Sequence, residues 1–212
     1  MEQFFTPNTF IEILLAISLS AAAGFRVFVP LLVLSAASVF GHIDLPPNFD
    51  WIENPQALAL FSVASVLEIA GYSIPWFDHL LDVLATPAAI VAGTIVAASV
   101  APEMDPLVKW TLALVAGGGT AGITKGLMNI LRGTSTAASG GLANPLFAAF
   151  ELAIATLLSV LAITVPVLAG VLVIGVMGFA IYRIWMLVDL LKQISRRDRF
   201  QKRRTTNQAL QK

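Results

Sequence analysis

Apolar residues fill most of this chain in long runs that short polar stretches separate. The runs lie near 9–39, 55–73, 87–101, 106–130, 145–162 and 166–191. Most approach the roughly 20 apolar residues that a helix needs to cross a bilayer. We therefore predict an all-α fold, a polytopic transmembrane helical bundle of about six spans in which residues 1–191 form one domain. The shorter stretch at 76–85 predicts an amphipathic segment near the membrane interface.

Proline marks where several of these helices should begin. It follows a residue that can cap a helix at Asn54-Pro55, Thr86-Pro87, Asp105-Pro106 and Asn144-Pro145, and Pro166 opens the last run. Proline suits the first helical position, and the preceding side chain can accept a hydrogen bond from a free N–H group. The first run is too long for one simple span. Because Gly24 and Pro30 interrupt it, we predict a broken helix there.

Composition agrees with a membrane location. Hydrophobic residues make up 57% of the chain and charged residues 12%, whereas about a quarter of a soluble domain is charged. The net charge is zero, so we expect no nucleic-acid partner. The chain has no cysteine and two histidines, which argues against disulfides and zinc centres, and we predict no cofactor. Residues 1–25 lack the Lys and Arg of a signal peptide.

Positive charge predicts the orientation. Eight of the thirteen Lys and Arg residues follow residue 190, so the basic tail at 192–212 should be cytoplasmic. The loops 41–54 and 102–105 contain neither residue and should lie on the other side. A further loop is predicted at 131–143, where Arg132 places it inside.

The two halves of the chain, 9–101 and 106–191, share an order of features. Each has a break at small residues, then a basic residue, then a helix that begins with Asn-Pro and carries a glutamate. Three spans per half would make this a 3+3 inverted repeat, a pattern typical of transporters. The spacing differs, since Glu68 lies 13 residues after its proline and Glu151 lies six. Coincidence of composition is therefore the alternative.

Ionisable residues inside apolar runs are the sharpest candidates for chemistry. These are Arg26, Glu68, Lys125 and Glu151. A charge at the bilayer centre costs at least ~2.5–3.5 kcal/mol, so such residues usually line a cavity or pair with an opposite charge. They could line a polar pathway. Alternatively, they could tie helices together or extend to the interface.

Other polar groups allow two interpretations each. Asp78 and Asp82 share one face of a helix beside His79, which suits a cation or proton site or the wet face of an interfacial helix. Gly117–Gly119 indicates close helix packing or a backbone break, because no strand precedes it as a dinucleotide loop requires. The polar stretch 133–144 could bind an anion or form a flexible loop.

Several strings of this sequence resemble one known family. AAAGFRVFVPLL (21–32), EIAGYSIPWFDHLLD (68–82), PAAIVAGT (87–94) and GGLANP (140–145) are similar to those of small bacterial membrane proteins known as domain of unknown function 4126. The resemblance covers about residues 10–180. It implies a bacterial inner-membrane location but no substrate, reaction or cofactor. The matching positions are Gly24, Arg26, Pro30, Glu68, Tyr72, Pro75, Asp78, Asp82, Asn144 and Pro145.

We expect a transporter or channel for a small polar or amphiphilic solute, with membrane lipids as partners and a homo-oligomer left open. Arg26 would hold an anionic group, and Glu68 would couple protons or balance charge. The candidate site residues are Arg26, Glu68, Gly24, Tyr72, Asp78, Asp82, Lys125, Asn144 and Glu151. One alternative is a lipid-modifying membrane enzyme that uses the Asp78 and Asp82 region. Another is a helper subunit that transports nothing.

Overall fold

A computed structural model describes the backbone of residues 7–71, 75–102, 104–140, 142–183 and 185–186. These residues form helices and short connections, with no strand among them. The helices are α1 (Pro7–Phe25), α2 (Phe28–Val39), α3 (Pro55–Gly71), α4 (Pro75–Ser99), α5 (Pro106–Leu112), α6 (Gly119–Ser139), α7 (Asn144–Thr164) and α8 (Pro166–Arg183). A 3-10 turn covers Pro47–Phe49, and a π-helical segment, Ala113–Gly118, joins α5 to α6.

The predicted all-α class is confirmed for the described residues. Two of their helices, α7 and α8, are long and apolar enough to cross a membrane. Four shorter apolar stretches are Thr9–Phe25, Phe28–Val39, Pro55–Gly71 and Val83–Ser99. The count of six spans and the internal repeat therefore stay predictions. The basic tail at 192–212 lies outside the described residues.

Two of the predicted helix starts have the expected cap. The Oδ1 atom of Asn54 accepts a hydrogen bond from the N–H of Gln56 at 3.0 Å, at the start of α3. Asp105 Oδ1 likewise accepts from the N–H of Leu107 at 2.9 Å, at the start of α5. Each side chain satisfies one N–H group that the first helical turn leaves without a partner.

The other Asn-Pro start and the Thr86-Pro87 start differ from the prediction. Asn144 is already the first residue of α7, and its Oδ1 accepts a hydrogen bond from the Thr136 hydroxyl at 2.9 Å. Helix α4 runs through Pro87 without ending. A proline inside a helix removes one backbone hydrogen bond, and packed apolar helices tolerate that loss. The segments 76–85 and 87–101 therefore belong to one helix.

The predicted loop at 131–143 is helical as far as Ser139. Its hydroxyl groups bond back to carbonyls of the same helix, for instance from Thr134 to Leu131 at 2.8 Å. Such bonds satisfy polar side chains without ending the helix. The helix ends at Gly140, whose φ of 63° is the left-handed conformation that glycine adopts most easily. Arg132 thus lies on a helix.

The chain divides into two compact units, Met1–Val173 and Ile174–Lys212. In the first unit, α1 is central and packs against α2, α4, α6 and α7. The second unit contains the C-terminal part of α8, where the Arg183 guanidinium lies 5.8 Å from the centre of the Phe179 ring.

Small residues hold α1, α4 and the π-helical segment close together. A Cβ atom on Gly117 would lie 2.4 Å from the Ala97 Cβ and 2.6 Å from the Gly93 carbonyl oxygen. The Ser20 hydroxyl donates to that same carbonyl at 2.9 Å. Small residues allow such close approach of apolar helices. Gly117 and Gly118 therefore lie in a π-helical turn that packs closely, and Gly119 begins α6 without a break in the helical backbone.

Candidate functional site

The break between α1 and α2 lies at Arg26 and Val27. The α3 residue Glu68 caps the new helix, because its Oε1 accepts from the N–H of Val27 at 2.9 Å and its Oε2 from the N–H of Phe28 at 3.1 Å. A carboxylate at a helix N-terminus satisfies free N–H groups and opposes the positive end of the helix dipole. A residue distant in sequence thus fixes the point at which the chain resumes its helix.

Gly24 and Pro30 lie on either side of this break and do not cause it alone. Pro30 is in the first turn of α2, where its missing N–H removes one group that would need a partner. Gly24 is in the last turn of α1, and a Cβ there would lie 2.5 Å from the Cβ of Thr124 in α6. Gly24 therefore brings the break close to α6.

Arg26 extends from the break toward α7. Its side chain is 1% exposed, and its Nη2 donates to the Ala148 carbonyl oxygen at 2.9 Å. The same nitrogen lies 3.9 Å from Oε2 of Glu151, which is fully buried. Arg132 of α6 also donates to this Glu151 oxygen. One carboxylate therefore contacts two guanidinium groups from different helices, in a group that we call the Glu151 cluster (Arg26, Arg132 and Glu151).

Helix α6 contributes a second buried cation, Lys125, two turns before Arg132. Between them in sequence, the Nδ2 of Asn129 donates to the Thr86 hydroxyl of α4 at 3.2 Å. The Oδ1 of Asn129 is buried and has no hydrogen-bond partner in the part of the chain that the structure describes. The polar face of α6 therefore continues beyond the Glu151 cluster.

The buried charges of the described side chains do not cancel. Three cations are buried (Arg26, Lys125 and Arg132) and two carboxylates (Glu68 and Glu151), which leaves one positive charge in excess. The side chains of Asp78 and Asp82 lie outside the described ones and are not counted. A buried charge is costly unless an opposite charge or a polar group compensates it. The described interior therefore contains more basic than acidic side chains.

The outer surface of the helices is apolar, whereas their inner faces are charged and polar. On α3, Ser65 and Glu68 are buried, while Leu60 and Leu67 are 64% and 66% exposed. On α7, Glu151 is buried, while Leu157 is 70% exposed. A soluble protein rarely shows large contiguous apolar surfaces.

The structure brings three of the sequence-predicted residues together at the α1–α2 break. Glu68 accepts the N–H groups of the two residues that follow Arg26, and Glu151 lies beside the Arg26 guanidinium. Gly24 adjoins them, and Lys125 lies further along α6. Asn144 contacts Thr136 instead. The backbone of Asp78 and Asp82 belongs to α4, but their side chains lie outside the described ones, and so does Tyr72 as a whole.

Arg132 is the residue that sequence reasoning missed, because the stretch after residue 130 read as a loop. A signal was present. Lys125, Met128 and Arg132 recur at helical spacing, so continuing the α6 pattern would have placed both cations on one face. The Ala148 carbonyl could not have been found this way, since a backbone acceptor leaves no trace in a sequence.

Among the described residues, no group of three or more His, Asp or Glu side chains could hold a metal ion. The expectation of no cofactor stays a prediction.

Comparison with known proteins places the chain in a family. No curated protein matches it, and no solved structure matches it. The family model described as a domain of unknown function (DUF4126) matches residues 13–186, which is most of the 212-residue chain. This chain is therefore a member of the DUF4126 family, and the resemblance found in its sequence is confirmed.

Proposed function

We propose that this protein is a multi-pass integral membrane protein that moves a small anionic solute across the bilayer. The solute would bind at the Glu151 cluster, beside the α1–α2 break. The observation that carries the proposal is that one buried carboxylate oxygen of Glu151 faces two guanidinium groups, inside a helical unit whose outer surface is apolar.

The apolar exterior supports the membrane location. Large apolar side chains on the outward faces of α3 and α7 suit lipid tails, and the helices satisfy their own backbone hydrogen bonds. The bilayer also explains why the charged side chains face inward, since intramembrane ionisable residues usually face a cavity or one another.

The geometry of the Glu151 cluster supports an anionic solute. Arginine binds carboxylate and phosphate groups through a planar fork of N–H donors. Here one carboxylate oxygen is shared between two such forks. An incoming anion could bind one guanidinium while Glu151 remains paired with the other. Neither guanidinium would then be left without a counter-charge.

Glu68 has a different part in this proposal. Both of its oxygens accept backbone N–H groups, so it would hold the break and position Arg26 while balancing charge. Among the described residues, its contacts are with backbone N–H groups, and proton coupling stays a prediction.

A cysteine-labelling experiment tests the proposal, because the chain has no cysteine of its own. Asn129→Cys would be exposed in turn to a negatively and a positively charged thiosulfonate reagent of similar size, with the protein in vesicles. We expect the ratio of the negative reagent's rate to the positive reagent's rate to exceed that of an exposed cysteine by roughly tenfold or more, since nearby cations concentrate a negative reagent. Adding Arg132→Gln should reduce that preference.

The control is His42→Cys, at an exposed position of the loop between α2 and α3, where the two rates measure the intrinsic reactivity of each reagent. Failure of both reagents to reach Asn129→Cys, while His42→Cys reacts, would contradict a pathway and favour the helper subunit. Efflux of chloride, inorganic phosphate or acetate from loaded proteoliposomes then measures transport itself, with Arg26→Gln as the inactive variant. Absence of flux for all three ions would count against a carrier.

A further inference from the structure

The packing of α4 against α6 includes a pair of polar side chains, Thr86 and Asn129. The Nδ2 of Asn129 donates to the Thr86 hydroxyl at 3.2 Å, next to the point where α4 continues through Pro87. The Oδ1 of the same amide is buried and accepts no hydrogen bond from the residues that the structure describes. A buried acceptor that lacks a donor destabilises a protein, so such an atom in a folded chain calls for an explanation.

The Thr86 hydroxyl differs from the other threonine hydroxyls of these helices. Six of them donate to a carbonyl of the preceding turn, namely Thr94, Thr111, Thr124, Thr134, Thr156 and Thr164. Thr86 instead accepts a hydrogen bond from another helix. A hydroxyl that accepts one bond still has its own hydrogen to donate. Thr86 and Asn129 therefore offer a donor and an acceptor side by side, which is the complement of one hydroxyl group.

This pair lies within reach of the Glu151 cluster. Asn129 comes three residues before Arg132 on α6, and the Cβ atoms of residues so spaced on a helix are roughly 5–6 Å apart. Arg132 donates to Glu151 from the next turn of the helix. A molecule of only a few atoms can therefore contact the Arg132 guanidinium and the Asn129 amide at the same time.

We propose that Asn129 and Thr86 select a small oxyanion that retains a hydroxyl group, such as hydrogen phosphate. The charged oxygens would bind at the Glu151 cluster, while the hydroxyl would donate to Oδ1 of Asn129 and accept from Thr86. Sulfate has the same tetrahedral shape but no hydrogen to donate in neutral solution, so it would leave Oδ1 without a partner. A site with a buried hydrogen-bonding group rejects an analogue that cannot satisfy it. The inference rests on the proposed function, because it names the class of solute.

A binding measurement tests this selection without requiring transport. The purified full chain in lipid nanodiscs is titrated in a calorimeter with phosphate, arsenate and sulfate, in weakly alkaline buffer. All three are then mainly divalent tetrahedral anions, but phosphate and arsenate retain one proton and sulfate retains none. We expect phosphate and arsenate to bind about tenfold more tightly than sulfate, since the sulfate complex leaves a buried acceptor unsatisfied.

Four variants show whether the pair causes the preference. Asn129→Leu and Asn129→Ala both remove the acceptor but differ in volume, so both should bring the phosphate and sulfate affinities close to each other. Thr86→Val keeps the shape of the side chain and should reduce the preference by a smaller factor. Thr94→Val is the matched control on α4, because the Thr94 hydroxyl donates to the Ile90 carbonyl at 2.7 Å, and it should leave the preference unchanged. The readout is a ratio of affinities, which a purely structural role would not change.

Uptake of labelled phosphate and sulfate by proteoliposomes separates this inference from transport. Selective binding without uptake of either anion would support the selection and contradict the carrier. Equal binding and equal uptake of the two anions would support the carrier and overturn the selection. A preference that survives both Asn129→Leu and Asn129→Ala would also overturn it, and so would a failure of the wild-type chain to bind any of the three anions.

Discussion

Helices α3 and α7 share two sequence features, yet their glutamates have different partners. Each helix begins at an Asn-Pro pair, and each carries one buried glutamate. Glu68 of α3 accepts two backbone N–H groups at the start of α2. Glu151 of α7 contacts the guanidinium groups of Arg26 and Arg132.

The difference teaches that a buried carboxylate takes its role from what faces it. Glu68 meets the partial positive charge of a helix terminus, which cannot move away. Glu151 meets side-chain cations, which can exchange one anion for another. The first arrangement suits a fixed structural joint, and the second suits a binding site.

The largest expected effect comes from Glu151→Gln. This substitution leaves two buried guanidinium groups without their carboxylate, so we expect the free energy of unfolding to fall by about 3–5 kcal/mol. The measurement is a denaturant titration of the purified protein in mixed micelles. Arg132→Gln is the matched variant and should cost less, about 1–3 kcal/mol, because Arg26 still faces Glu151. A larger loss for Arg132→Gln would contradict the central position of Glu151.

Glu68→Gln should have an intermediate effect, about 1–3 kcal/mol. The amide retains one acceptor oxygen, so one of the two N–H groups at Val27 and Phe28 loses its partner. Glu53→Gln is the matched control, because both of its donors converge on a single oxygen that the amide can keep. We expect that control to lose less than about 1 kcal/mol. Equal losses in the same titration would show that the helix cap adds nothing.

The two helix starts should differ least. Asn54→Ala removes a cap from α3 and should cost about 1 kcal/mol. Asn144→Ala removes an exposed hydrogen bond with Thr136 and should cost about 0.5 kcal/mol or less. Thermal unfolding of both variants in one detergent measures the difference. A larger loss of stability in Asn144→Ala would support the capping role that the sequence predicted for Asn144.

Much of the fold could be predicted from local patterns. The caps at Asn54 and Asp105 follow from short-range chemistry, since a polar side chain and the next N–H groups are adjacent in sequence. Thr86-Pro87 shows the limit, because packing around α4 carries the helix through the proline. The stretch after residue 130 shows a second limit, since its hydroxyl groups satisfy themselves within the helix.

The sequence by itself determined that the chain is helical and apolar and that it belongs to the DUF4126 family. It also singled out four ionisable residues inside apolar runs, which are Arg26, Glu68, Lys125 and Glu151. Those conclusions depend on composition and on spacing along the chain. Only the tertiary structure decided that Glu68 caps α2 and that Arg132 joins Arg26 at Glu151. The physical reason is distance. These partners are 19 to 125 residues apart, and only helix packing brings their charges within a few ångströms of one another.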